Sequence, residues 1–362
     1  MANVSKDLTV FIGRFSPFHN GHAAVIRRAL QNSKSVLILI GSSGQARTTK
    51  NPFTFAERRQ MIMDWFDAEK LDWTKLIVEP LHDHMYNDAA WIAEVQQLVY
   101  DASWRFHKAG RIPASPKVYL TGANRDRSTW YLSAFGDLFT QDLVNADDHD
   151  FSLSATSIRQ RLFASTAPGY SFVNDVPGST TDFLAEFVRT PEYRDLALEW
   201  KYLEDYAKIF ESLRYPISIQ TVDTCVIQSG HVLVIERDNF PGRGLWAMPG
   251  GHLDIDLHER LLDAALRELD EETNIALSPA QLRGSVVSKE CFDHPDRSLK
   301  ARVITMCYLL KLDDTKPLPK VKPQKGEAKR VMWIPIAEAL ARRDKWFDDH
   351  HAMLETMISR LP

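Results

Sequence analysis

Through the first half of the chain, apolar runs of strand length alternate with stretches of helical period. Residues 8–13 (LTVFIG) and 35–42 (SVLILIGS) are nearly unbroken apolar runs and read as buried strands. Residues 21–31, 55–66 and 89–106 place apolar side chains at helical spacing, and short strands are expected at 75–79 and 117–122 (KVYLTG). Strands alternating with helices predict an α/β domain with a parallel sheet covered on both faces. Ligands of such sheets bind beyond the C-terminal strand ends. Residues 167–181, rich in Pro, Gly, Ser and Thr, read as a loop. A helical extension is expected from about 182, in which the stretch from Pro191 to Leu213 reads as a helix with Leu196, Leu203, Tyr206 and Phe210 as bulky apolar positions.

The pattern changes near Tyr215. Residues 218–228 and 231–238 alternate around Ser229-Gly230, predicting an antiparallel hairpin. One long helix follows, then strands at 302–311 and 330–334, so this half reads as α+β. The expected domains are 1–213 and 214–362.

A length of 362 residues suits two cores rather than one. With 44% hydrophobic and 25% charged residues, the composition is that of a globular protein. A net charge of -4 gives no basic field for nucleic acid. No apolar run has the length of a leader peptide or a membrane span. The three cysteines, Cys225, Cys291 and Cys307, lack metal-ligand spacing and fit a reducing, cytoplasmic compartment. The expected partners are small anionic molecules, with neither nucleic acid nor membrane; a homo-oligomer is left open.

The first candidate site follows the first strand directly, at residues 13–22 (GRFSPFHNGH). Gly13 and Gly21 permit close backbone approach. His19 and His22 stand three apart at a helix start, where free N–H groups and the positive dipole end attract phosphate. A second anion-binding feature is SLSATSIRQRL at 152–162, in which Ser154 and Thr156 suit a helix start and Arg159 lies one turn inside. Together the two segments resemble the nucleotidyltransferase superfamily that carries H-x-G-H and I-S-S-T-x-x-R signatures. Within it the chain resembles the archaeal-type nicotinamide mononucleotide adenylyltransferases over residues 8–165.

That resemblance implies a Rossmann-like domain binding ATP, nicotinamide mononucleotide and the product NAD. His19, His22 and Arg159 would hold the triphosphate, with Gly13, Arg14, Phe15, Ser154 and Thr156 around it. Arg47, in a segment that closes over the nucleotides, would be a phosphate ligand. Asn87 and Trp91 lie four apart on a helix, and the Trp would stack on nicotinamide; without the resemblance a core Trp is as good a reading. Gly122, Asn124 and Asp126, in the loop after the strand at 117–122, would lie near the adenosine. The implied reaction is in-line adenylyl transfer without a protein nucleophile, driven by positioning and charge stabilisation. Superfamily relatives that use phosphopantetheine or transfer cytidylyl groups offer alternative acceptors.

The second candidate site is the run RELDEE. Glu268, Glu271 and Glu272 fall at i, i+3 and i+4, crowding carboxylates on one helical face. Such crowding costs helix stability unless a hard divalent cation relieves it. The surrounding segment resembles the Nudix box. Glu259, Arg267, Glu268, Leu269, Glu271, Glu272 and Ile275 match in register after Pro249-Gly250-Gly251. Two departures stand out: Gly251 is two residues farther from Glu259 than the family pattern has it, and Asn274 replaces the final Gly. Asn is the next best residue for a left-handed helix end.

A Nudix domain is thereby implied, binding Mg2+ (or Mn2+) through Glu268, Glu271 and Glu272 with help from the Gly251 carbonyl. Arg267 would orient Glu268, and Glu327 would supply a further acid. Arg297, Lys300 and Arg302 would meet a diphosphate or a terminal ribose. Joined to an NAD-making domain, this half resembles bifunctional bacterial enzymes whose hydrolase acts on ADP-ribose. A Nudix-like sensor that binds ADP-ribose without cleaving it is the alternative, and the full set of glutamates weighs against it.

Overall fold

The computed structural model describes residues 5–122, 127–144, 153–164, 174–324 and 328–362. The chain divides into two compact units, Met1–Ala197 and Leu198–Pro362.

In the first unit, strands β1 (Lys6–Gly13), β2 (Ser33–Ile40), β3 (Leu76–Pro80), β4 (Val118–Gly122) and β5 (Thr140–Leu143) form a parallel sheet in the order β3-β2-β1-β4-β5. Helices α1 (Asn20–Asn32), α2 (Phe55–Ala68) and α3 (Asp88–Lys108) connect them. The α/β expectation and its strands up to residue 122 are met, with boundaries shifted by a residue or two. The run VFIG is apolar throughout because both sheet faces are covered. Leu8, Val10 and Ile12 join Leu37, Leu39, Val95, Val99 and Phe106 in one buried cluster. The chain adds β2 and β3 on one side of β1, then crosses to place β4 on the other. The C-terminal end of β1 is therefore the switch point, where such sheets open a crevice.

Edge strand β5 and the start of α5 (Gly178–Phe187) were not legible. β5 is a short edge strand in a polar sequence. Helix α5 begins inside the stretch that composition marks as a loop. Pro177 at its N-cap and the buried Thr180, Leu184 and Phe187 explain the difference: packing overrides a loop-like start. Between them lies α4 (Ala155–Ala164), which carries the second anion motif.

The unit division falls inside α6 (Pro191–Lys208), upstream of the change of pattern at Tyr215. The second half of α6 has its partners in the second unit: Glu199 accepts a hydrogen bond from the Gly242 N–H at 2.9 Å, and Tyr202 packs near Phe240. The hairpin forms as the alternation predicts, joining β6 (Ile219–Gln228) to antiparallel β7 (His231–Arg237). Its turn residues Ser229 and Gly230 both have positive φ, 47° and 71°, which matches the twist of a two-residue hairpin.

Beyond the hairpin tip, β6 and β7 part and accept short strands: β8 (Trp246–Ala247) on β7 and β9 (Gly250–His252) on β6. The sheet is completed by β10 (Val286–Phe292), β11 (Val303–Lys311), parallel to β6, and β12 (Ala328–Pro335), antiparallel to β7. Helix α7 (Leu261–Thr273) packs on this sheet through Ala264, Ala265 and Leu269, which share a core with Val222, Val226 and Leu233. It ends on Asn274 at φ 43°, ψ 44°, the left-handed cap expected there. Helices α8 (Pro279–Gly284), α9 (Ile336–Ala341) and α10 (His350–Ile358) follow.

Candidate active sites

At the end of β1, Phe15 takes a left-handed conformation (φ 52°) and is buried, turning the chain sharply into α1. His19 is the N-cap of α1 and is also buried, while His22 is half-buried. The two imidazoles stack with centroids 3.6 Å apart, and the rings of Phe11, Phe15 and Phe18 surround His22. His22 Nδ1 accepts a hydrogen bond from the His19 backbone N–H at 3.3 Å. That bond puts the proton of a neutral His22 on Nε2, leaving a donor on the other side of the ring.

The sequence-distant Arg159 reaches this loop. It is 6% exposed, and its Nη1 donates to the Ser16 carbonyl at 2.7 Å while Nη2 donates to Thr156 Oγ1 at 3.2 Å. Burial, and then the charge of Arg14, lower its pKa to about 10, so it remains cationic near neutrality. Ser154 Oγ accepts from the Thr156 N–H, opening α4 as the sequence suggests. The structure thus brings the two motifs together on one strand end. Arg14 is exposed beside them.

Arg47 is held differently from a free phosphate ligand. Glu57 takes both its Nη groups at 2.6 and 2.8 Å, and Nη1 also donates to the Pro52 carbonyl. Asn87 caps α3 by accepting from the Ala90 N–H at 3.0 Å. Trp91, one turn on, is partly buried against the core cluster and lies 5.5 Å from the half-exposed Trp130. Gly122 ends β4 in a tight spot, where a Cβ would stand 3.2 Å from Leu132. Asn124, Asp126 and Glu327 lie outside the described residues.

Sequence reading missed Arg58. It lies on the buried stripe of α2 with Met61, Ile62 and Trp65, at i, i+3, i+4 and i+7, and is 1% exposed. Nη1 donates to the carbonyls of Arg14 and Gly41, both at 2.7 Å, Nη2 to Ser42 and Nε to Thr54. One guanidinium therefore ties the ends of β1 and β2 together behind the histidine loop. A cation inside an apolar stripe was the available signal.

In the second unit a cavity of about 680 Å³ opens beside β9, lined among others by Asp223, Gly250, Gly251, Glu268 and Glu272. Glu272 is buried and its Oε2 accepts from the Gly250 N–H at 2.8 Å. Burial pushes its carboxyl up to about 8; the Gly250 N–H opposes the rise, and the nearby Glu268 and Asp223 carboxylates add to it. Arg267 forks between the other acids. It donates to Glu259 at 2.7 and 3.1 Å, to Glu268 at 3.0 Å and to Glu271 at 2.7 Å. Glu268 thus faces the cavity as expected, whereas Glu271 is half-exposed, turned to Arg267, and absent from the cavity lining. Among the described residues no group of three or more His, Cys, Asp or Glu is already arranged around a metal position.

The two glycines are required by close approach. A Cβ on Gly250 would lie 2.2 Å from the Val222 carbonyl. One on Gly251 would lie 2.5–2.7 Å from the Glu268 carboxylate, so that carboxylate sits against the bare backbone of β9. Gly251→Ala is expected to leave the fold intact, because a flexible carboxylate yields, but to lower kcat of this site roughly a hundredfold. Steady-state hydrolysis at saturating metal checks this, with no loss anticipated at the first site.

Arg297 lines the cavity but its Nε and Nη2 are taken by Asp349 at 2.9 and 3.0 Å. Arg302 is outside the lining and donates to the Asp293 carbonyl. The expectation that these two arginines meet a diphosphate is therefore not supported by their partners. Arg237 and Lys300, both in the lining, are the cations turned to it.

Comparison with known proteins agrees with this geometry. Residues 10–161 match the cytidylyltransferase-like family and residues 219–356 the NUDIX domain family. The nicotinamide/nicotinic acid mononucleotide adenylyltransferase of Acinetobacter baylyi is 33% identical over 195 residues, 54% of this chain and 94% of that protein. The nicotinamide-nucleotide adenylyltransferase of Pyrococcus horikoshii is 30% identical over 192 residues, 52% of this chain and 88% of that one. A crystal structure from Francisella tularensis, a bifunctional NMN adenylyltransferase/ADP ribose pyrophosphatase complexed with AMP and a manganese ion, is 32% identical. It superposes with a TM-score of 0.88, covering 98% of this chain and 99% of that one.

Fold and sites together define a nucleotidyltransferase joined to a Nudix hydrolase, an enzyme of NAD metabolism that works on small nucleotides. Nudix hydrolases use divalent metals. The chain belongs to the family of bifunctional NMN adenylyltransferase/ADP-ribose pyrophosphatases. Among the described residues no helix is long and apolar enough to cross a membrane.

Proposed function

We propose that the first unit transfers the adenylyl group of ATP to nicotinamide mononucleotide through His19, His22 and Arg159. The contact of Arg159 with the Ser16 carbonyl carries this reading, since it converts two distant motifs into one cationic cradle. The attacking group is the phosphate of the mononucleotide, and pyrophosphate leaves from the α-phosphorus. His22 Nε2–H and the Arg159 guanidinium donate to triphosphate oxygens as charge shifts onto the leaving group. The N-terminal end of α1, which His19 caps, adds a fixed dipole of the same sign. Trp91, backed by the core and flanked by Trp130, offers the nicotinamide ring a stacking face. Arg47 reaches phosphate only on release from Glu57, which couples its use to movement of the segment bearing it.

The second unit hydrolyses ADP-ribose to AMP and ribose 5-phosphate, with magnesium as the cation. The donor set suits a hard divalent ion. Glu268 and Glu272 carry carboxylate oxygens into the cavity beside Gly250 and Gly251, and the pKa of Glu272 is raised first by burial and then by the neighbouring Glu268 and Asp223 carboxylates. Held by Glu268 and Glu272, such an ion would supply Lewis acidity toward the diphosphate and toward an attacking water. Arg267 fixes Glu268 and holds Glu271 one turn away, so that a change of Arg267 partner brings the third carboxylate in. A cytoplasmic setting is part of this reading, and the three free cysteines, Cys225, Cys291 and Cys307, support it.

Purified chain is given nicotinamide mononucleotide, ATP and Mg2+, then separately ADP-ribose, and the products are separated by chromatography. His22→Ala is expected to lower NAD synthesis by at least about a hundredfold and to leave ADP-ribose hydrolysis within twofold. Equal loss of both reactions would contradict separate sites.

A further inference from the structure

We infer that Arg237 and Lys300 together grip the diphosphate of the hydrolase substrate, with its nucleoside lying on an aromatic wall of Tyr202 and Phe240. The inference rests on the hydrolase reading above and adds residues outside the glutamate helix. Arg237 ends β7, and Lys300 lies in the loop before β11; both line the same cavity as Glu268 and Glu272. The volume, about 680 Å³, is that of a site for a nucleotide-sized molecule.

The partners of these two cations make the case. Arg237 Nε donates to the Pro241 carbonyl at 3.0 Å, and its guanidinium lies 4.0 Å over the Phe347 ring. Lys300 Nζ lies 5.4 Å from the Tyr206 ring and 6.0 Å from that of Tyr202. Among the described residues neither forms an ion pair, in contrast to Arg297, whose fork is filled by Asp349. Burial, and then the charge of Arg237, lower the pKa of Lys300, so the two cations sense each other across the cavity, with the Asp348 carboxylate of the same lining opposing the shift only in part. An anion between them removes that repulsion, and a diphosphate offers oxygens for both the planar fork and the point charge. Tyr202 and Phe240 stand beside the cations with ring centroids 6.4 Å apart, tilted by 39°. Their faces give a base a stacking surface that does not depend on its hydrogen-bond pattern. Tyr202 comes from α6, outside residues 219–356 that match the NUDIX family.

Arg237→Gln and Lys300→Gln in the full chain are expected each to raise KM for ADP-ribose roughly ten- to a hundredfold, with kcat changed less than about threefold. Lys300→Arg should recover most of the loss, and Tyr202→Ala should raise KM about tenfold where Tyr202→Phe does not. Methylenediphosphonate, a diphosphate analogue whose P–C–P bridge hydrolysis cannot cleave, should inhibit the unmodified chain competitively and lose its grip in both Gln variants. Unchanged KM in the two Gln variants, or a loss confined to kcat, overturns the clamp. Calorimetry with ADP-ribose and Mg2+ separates the two readings. Binding without turnover, abolished by the Gln variants, keeps the clamp and removes the hydrolase; absence of binding to the unmodified chain removes both.

Discussion

Replacing Glu272 by glutamine is expected to cut ADP-ribose hydrolysis by on the order of a thousandfold, yet to make the metal-free chain more resistant to heat at pH 8. The first effect follows from losing a carboxylate that faces the cavity beside Gly250. The second follows from the sign of its pKa shift. The carboxyl ordinarily titrates near 4.5, and burial in the folded unit raises it to about 8. Between those values the unfolded chain has already released the proton that the folded one retains. Stability contributed by this group therefore falls as pH rises from about 4.5 to about 8, and is level above that. Glutamine cannot ionise and keeps the amide in place of the acid, so the penalty disappears. Thermal unfolding in the presence of a chelator should show the variant's advantage growing from pH 5 to pH 8. A variant less stable than the parent at pH 8 would refute the assignment. Magnesium should act on the parent in the same direction, because a cation also removes the proton and the surplus charge.

Arg58→Ala is expected to abolish NAD synthesis and to destabilise the first unit by several kcal/mol. The guanidinium serves the carbonyls of Arg14, Gly41, Ser42 and Thr54. Alanine leaves the buried Gly41 and Ser42 carbonyls without this donor, each costing about 1–3 kcal/mol, and opens a void between α2 and the two strand ends. Arg58→Lys keeps the charge but lacks the fork that spans β1 and β2. It should fold, with KM for ATP raised more than kcat is lowered, since the histidine loop loses its tether to the Gly41 end of β2. Differential scanning calorimetry reads the first effect, and ATP titration at saturating mononucleotide the second. A variant that melts and turns over like the parent would show the tether to be idle.

How far the sequence foretold this depends on the element. Long apolar runs such as residues 35–42 gave their strands away because both sheet faces are buried, and the hairpin at Ser229-Gly230 announced itself by turn chemistry. The polar edge strand β5 and helix α5 did not, since their identity comes from neighbours rather than from local pattern. The histidine loop, Arg159 and the glutamates were legible because their chemistry is concentrated in short segments. Arg58, Arg237 and Tyr202 act from separate elements whose convergence only the fold creates. Arg297 shows the converse: a plausible phosphate ligand by position, it is spoken for by Asp349 from a distant helix start.

The glutamate helix and the glycine strand meet across a layer only as thick as alanine. Ala264 and Ala265 lie fully buried against β6, the strand to which β9 is pinned. The spacing between the carboxylates and the Gly250-Gly251 backbone is thus inherited from buried methyl groups one turn before Glu268 on the same helix. Bulkier side chains at those two positions would overpack a closed interior and shift the carboxylates with it, so a lesion in the greasy interior can masquerade as a defect of the metal pocket.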